Sequence, residues 1–284
     1  MKKMENQSRI IVLGLGMCLL AGCGQKENTT EEVHRFEKWN LTEEGAFTLQ
    51  DGTVIDRWTN DPYTEDLYKT EDGEELLYVT HMVSPSENEV AGMAPLSEYP
   101  EELQEKVLKY WAQEEMLYDL EEQLEKAYAD FCGCQGAFQI FTVHEIKQDF
   151  NPAVETDRYV GYLTVSTEPK EEHFDGGLIE KRKETLFDIQ TGEVLDVWDL
   201  FCVEEDVARE KLALLCADAD NTVSDEDVIG AIDQASMLFF QDYFEVWFPY
   251  GTWERQEFAK GFGFEYEKIA DLLREDAIPL GSRE

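Results

Sequence analysis

The chain has 284 residues, of which 63 are Asp or Glu and 24 are Lys or Arg, for a formal charge of −39. That balance argues against nucleic acid as a partner, because phosphate contacts need Lys and Arg, and against lying flat on an anionic membrane. Hydrophobic residues still make up 43% of the chain, so it reads as a folded acidic domain and not as a disordered acidic tail.

A field of this sign draws in cationic partners: metal ions, basic peptides or basic proteins. Solubility alone also accounts for it.

The first element is a short basic segment (Lys2, Lys3, Arg9) followed by an apolar run from Ile10 to Ala21. These are the marks of a secretory signal peptide. The run falls short of the ~20 residues that cross a bilayer, and Gly24 to Glu32 is polar. The run ends in Leu20-Ala21-Gly22-Cys23, which resembles the lipobox of bacterial lipoproteins. The resemblance implies that residues 1–22 are removed. A diacylglycerol on Cys23 then holds the chain to the extracytoplasmic face of the cell membrane. Two acyl chains anchor stably where one does so marginally. Residues 23–44 are expected to form the lipidated Cys and a flexible tether. Residues 24–34 lack apolar periodicity, and as coil they span on the order of 18 Å.

Two further parts are expected, 45–168 and 169–284. In the first, Ala46 to Leu49 and Thr53 to Trp58 flank Asp51-Gly52, a hairpin signal. Glu74 to Met82 reads as another strand after Asp72-Gly73, and residues 84–97 as a loop. A long amphipathic helix is expected between Pro100 and Phe131. Leu103, Val107, Tyr110, Leu117, Leu120, Leu124, Ala127 and Phe131 recur at three- or four-residue spacing, with Glu114 as a gap. Gly133 is expected to stop it. Phe138–Ile146, Tyr159–Thr167 and Ile179–Ile189 read as strands. A turn follows at Asp188 to Glu193, then extended or irregular chain from Val194 to Leu200.

Glu204–Ala217 reads as a helix with Val207, Leu212, Leu215 and Cys216 apolar. Ser224 to Asp227 starts a shorter one, to about Ala235, with a capping box. Met237–Phe248 reads as one aromatic strand, Phe262–Tyr266 as another, and Ile269–Arg274 as a last short helix. Helices interrupting antiparallel strands make this an α+β fold, with antiparallel sheets packed against a long amphipathic helix and shorter helices.

The chain carries little recognisable chemistry. Cys132, Cys134, Cys202 and Cys216 read as disulfide-bonded or buried thiols, since no His cluster joins them. Asp218 to Ser224 invites comparison with a calcium loop, but Val223 and Ile229 stand where an EF-hand needs Gly and Glu. His34, His81, His144 and His173 are scattered. No nucleophile elbow or phosphate loop occurs. No catalytic residue, metal site or cofactor is therefore assigned. With 63 carboxylates, any chosen acidic pair is uninformative. Trp247, Tyr250 and Trp253 are better read as core and loop aromatics than as a stacking platform.

One segment is specific. Glu184-Thr-Leu-Phe-Asp-Ile-Gln-Thr-Gly-Glu-Val-Leu-Asp-Val-Trp-Asp-Leu-Phe201 resembles the T-F-D-x-x-T-G-x-x-L-x-L-x-D-L-F stretch of a domain of unknown function. That domain occurs outside the membrane in RsiV-type anti-sigma factors and PdaC-type peptidoglycan deacetylases. Val246 to Tyr250, Gly261 to Phe264 and Tyr266 are similar in order. The chain departs from the family in having Gly176-Gly177-Leu178-Ile179 where a Gly-Gly-Ala-His-like element is usual. It also has no sigma-binding segment or deacetylase domain. The resemblance implies a non-enzymatic surface module that binds or senses a basic protein such as lysozyme, or cell-wall material. An envelope hydrolase using acidic residues, or a purely structural surface lipoprotein, are the alternatives.

Overall fold

The computed structural model describes residues 41–60, 65–81, 93–113, 117–137, 140–169, 178–219, 223–254, 256 and 258–279. Residues 1–40 lie outside the described residues, and with them the signal segment, Cys23 and most of the expected tether, as do Gly176, Gly177, His34 and His173. The described residues fall within one compact unit, Trp39–Glu284.

Eight strands form the main sheet in chain order. They are β1 (Thr42–Thr48), β2 (Val54–Thr59), β3 (Glu65–Thr70), β4 (Glu75–His81), β5 (His144–Glu155), β6 (Tyr159–Pro169), β7 (Leu178–Asp188) and β8 (Val194–Leu195). All neighbours are antiparallel except β4 and β5. A parallel neighbour needs a long crossover, and here it carries α1 (Glu101–Gln113) and α2 (Leu120–Ala137). β1 begins at Thr42, inside the expected tether. The β6–β7 pairing runs across residues 168/169, where the two expected parts meet.

Both crossover helices cover one face of the sheet. α1 places Leu103 and Val107 against Phe150, Val160, Tyr162 and Phe187. α2 places Leu124 and Ala127 against Ile55, Tyr68, Leu77, Val79 and Ile146. The opposite face of β5–β7 meets a second layer. This contains α3 (Glu205–Ala219), α4 (Asp225–Ala231) and a three-stranded antiparallel sheet of β9 (Ser236–Phe239), β10 (Phe244–Phe248) and β11 (Lys260–Phe264). Val154, Tyr159 and Leu186 of the main sheet join its core. β6 is therefore buried along nearly its whole length, as a strand covered on both faces must be. Edge strand β1 is almost wholly exposed.

The fold is α+β, as expected, but several elements differ. The single helix is two. Asp119 Oδ1 accepts the backbone N–H of Glu122 at 3.1 Å, an N-terminal cap that restarts the helix after the gap at Glu114. α2 passes through Gly133 to Ala137, and the following strand begins only at His144. The aromatic stretch after Ser236 is two strands, with Phe240 N–H returning to Tyr243 O at 2.9 Å. Ile269–Arg274 is not a helix: Leu273 bridges Phe201 in extended form, flanked by 3-10 turns at Tyr266–Lys268 and Glu275–Ala277. Among the described residues, no helix is long and apolar enough to cross a membrane.

Candidate functional site

The most unusual chemistry lies in the seam between the main sheet and the small one. β7 carries five consecutive charged residues, Glu180 to Glu184, of which Glu180, Arg182 and Glu184 share its small-sheet face by strand alternation. Glu184 Oε2 accepts the Phe239 N–H of edge strand β9 at 2.6 Å, so a side chain covers a strand edge that would otherwise be unpaired. Its Oε1 is buried, with no hydrogen-bond partner among the described residues. Burial pushes this carboxyl well above the usual range, and the Phe239 N–H only partly opposes it.

Arg182 stands between two carboxylates, with Nε 2.7 Å from Glu180 Oε1 and Nη1 3.0 Å from Glu245 Oε2. Its guanidinium also lies over the Trp247 ring at 5.7 Å. Burial raises the Glu245 carboxyl, and Arg182 pulls in the opposite direction. Gly261 leaves room for the Glu245 carboxylate, which a Cβ would overlap. A raised carboxyl is what a general acid requires. Here Glu184 is sealed inside the sandwich and Glu245 is clamped by Arg182. The arrangement ties two layers together and gives no support to hydrolysis. Sequence reasoning missed it, and the signal present was an unbroken charged run, Glu180 to Glu184, inside a strand.

A second polar group lies on the helix face of β2–β4. Asp66 accepts Arg57 Nε at 3.1 Å and Nη2 at 2.9 Å, and lies 3.4 Å from His81 Nε2. Burial would raise this carboxyl, but the bonds from His81, Thr59 and Arg57 prevail and hold it below its ordinary value. His144 Nε2 meets Asp130 Oδ2 at 3.0 Å, and burial holds its pKa down despite that carboxylate. Both described histidines thus serve local pairs. Among the described residues, no three metal-ligating side chains converge.

The four thiols are free: Cys216 is buried, Cys134 half-buried, and Cys132 and Cys202 exposed. Burial pushes the Cys216 thiol up to about 12, which makes it inert. Trp247 packs with Ala153, Leu163 and Leu238. Trp253 packs on the second-layer core and its Nε1 donates to Asp227 O at 3.0 Å. Tyr250 is half-buried.

The specific segment 184–201 is a framework. Thr185 Oγ1 donates to Tyr110 Oη at 2.8 Å. Leu186 and Phe187 enter the cores on opposite faces. Asp188 Oδ1 accepts the backbone N–H of Gln190 and Thr191, which closes the turn into β8. Gly192 has φ +65°, and its Cα lies so near α1 that a Cβ would stand 2.8 Å from Lys106 Cδ. Lys106 Nζ fastens the turn through Thr191 O and Glu193 Oε1, both at 2.8 Å. Asp196 caps the 3-10 turn Val197–Leu200. These residues position α1 and the second layer.

The exterior remains. Lys106, Lys147, Arg158, Lys181, Arg209 and Lys211 each already face a carboxylate. Among the described residues, exposed carboxylates therefore outnumber the bases available to pair with them.

No family model matches the chain, and no curated protein matches it. Among solved structures, it is similar to a member of the DUF3298 family from Bacteroides fragilis, with a TM-score of 0.40 and 9% identity over 83% of this chain and 92% of that one. A DUF3298 family protein from Pseudomonas aeruginosa PAO1 gives 0.32 and 11% over 84% and 95%. Likeness at this level assigns neither a family nor an activity.

Proposed function

We propose that this protein is a lipid-anchored, non-enzymatic binding module on the extracytoplasmic face of a bacterial cell membrane. It captures a cationic protein such as lysozyme, or cell-wall material. The observation that carries this reading is the carboxylate excess on the outside of a folded body whose bases are largely paired. Such a surface keeps a strong negative field and accelerates encounter with basic molecules. The Leu20 to Cys23 motif supports the address, with the diacylated Cys23 thiol as the anchor.

The test is calorimetry of the full-length mature lipoprotein in nanodiscs against lysozyme, a cationic peptide and wall fragments at about 50 mM salt. Saturable binding that weakens steeply by about 300 mM salt is expected. No binding to any of the three at low salt overturns the reading. Mass spectrometry of the same preparation reads the acyl mass on Cys23, and a Cys23→Ala variant is expected to leave the membrane fraction.

A further inference from the structure

We infer that the solvent face of α3 is where the partner docks, and that it takes a cationic amphipathic segment: a peptide stretch with Lys or Arg around an apolar stripe. This rests on the reading above and adds the place and the chemistry of contact. α3 turns Ala208, Leu212 and Cys216 into the core. On the opposite side of the helix stand Val207 and Leu214, 42% and 50% exposed. Seven residues apart, they are two turns and about 10.5 Å apart on one face. Ile229 on the neighbouring α4 is 45% exposed. Few large apolar residues of the described body are this exposed, and three of them fall on these two helices.

Their surroundings select the occupant. Glu205, Asp206, Glu210 and Asp218 on α3, with Asp225 and Glu226 on α4, are exposed. The two bases of α3 are engaged, Arg209 with Glu205 at 2.8 Å and Lys211 with Asp271 at 3.0 Å. A second copy of this chain meeting the same face would bring carboxylates against carboxylates. A neutral apolar partner would strip water from carboxylates with nothing to pair them. A basic amphipathic segment satisfies both features: its apolar stripe covers Val207 and Leu214 while its bases meet the acidic rim.

The experiment uses the full-length mature protein in nanodiscs. It compares an amphipathic Lys/Leu peptide, the same composition scrambled so that no apolar stripe forms, and polylysine, by fluorescence anisotropy at fixed salt. Wild type is expected to prefer the amphipathic peptide to its scrambled form by ~tenfold or more. A Val207→Ser/Leu214→Ser double variant is expected to lose that preference while binding polylysine unchanged. A Leu178→Ser variant, on an exposed apolar residue away from α3, is expected to keep it, and circular dichroism confirms folding. Equal affinity of wild type for the two peptides, or an unchanged preference in the double variant, overturns the docking face but leaves cationic binding standing. Failure of wild type to bind either peptide or polylysine overturns both.

Discussion

Glu184 concentrates the physics of the seam in one side chain. Its carboxyl is held well above its ordinary value by burial, so the native state favours the protonated form. Below the unfolded value of about 4.3 both states carry the proton and the group adds no pH dependence. As pH rises past that value the unfolded chain releases its proton first, so stability falls with pH until the buried carboxyl itself ionises. Glu184→Gln keeps an acceptor for the Phe239 N–H and removes the titration. Thermal unfolding from pH 4 to pH 8 should therefore show the variant at least as stable as wild type at pH 8, with the gap closing toward pH 4. A variant less stable at pH 8 would mean that the native carboxyl is charged and paired. Asp66 has the opposite sign: held low by His81, Thr59 and Arg57, it loses its stabilising contribution as pH falls into the acid range. Neither role is legible in a sequence with 63 carboxylates, because what separates these two is burial and the strand opposite.

At the scale of elements, β6 is the central strand covered on both faces, and at Gly161 the side chains of its two sheet neighbours close over it. A Cβ there would stand 2.6 Å from Val154 Cγ1, 2.7 Å from Glu184 Oε1 and 2.9 Å from Leu186 Cδ2. Gly161→Ala should cost ~1–3 kcal/mol by overpacking, read as a lower midpoint in chemical denaturation with an unchanged slope. A neutral result would show that Val154 and Leu186 yield freely. The elements that were legible carry local signals: the turn at Asp51-Gly52, the Ser224 cap on α4 whose Oγ accepts Asp227 N–H at 3.1 Å, the Pro and Gly that separate β6 from β7, and the apolar residues of α3. Those that were not are decided by distant contacts. β3 hides because it buries Glu65 and Asp66, and Asp66 finds its partner on β2. The β9–β10 turn hides because Phe240 and Tyr243 stack at 4.5 Å across it, so aromatics continue where the chain reverses. Val207, read as apolar alongside Leu212, Leu215 and Cys216, instead faces water together with Leu214.

The whole molecule is governed by its charge. Carboxylates crowded on one body repel one another, and folding brings them closer than they stand in the open chain. Against this, the ion pairs of Lys106, Lys147 and Lys211 are exposed and each contribute little. Repulsion among unmatched carboxylates therefore outweighs attraction within matched pairs. Added salt shortens the screening length from about 30 Å at 0.01 M to about 8 Å at 0.15 M, which removes long-range repulsion before it touches contacts of 3 Å. The melting temperature should accordingly rise between these two salt concentrations, measured by calorimetry at pH 7 with sodium chloride. A fall would mean that the surface pairs dominate and that the exterior field is weaker than the composition implies. The same screening must weaken any cationic partner. Over one salt range, then, the protein should grow more stable while its binding grows weaker, because both effects come from the same unmatched carboxylates.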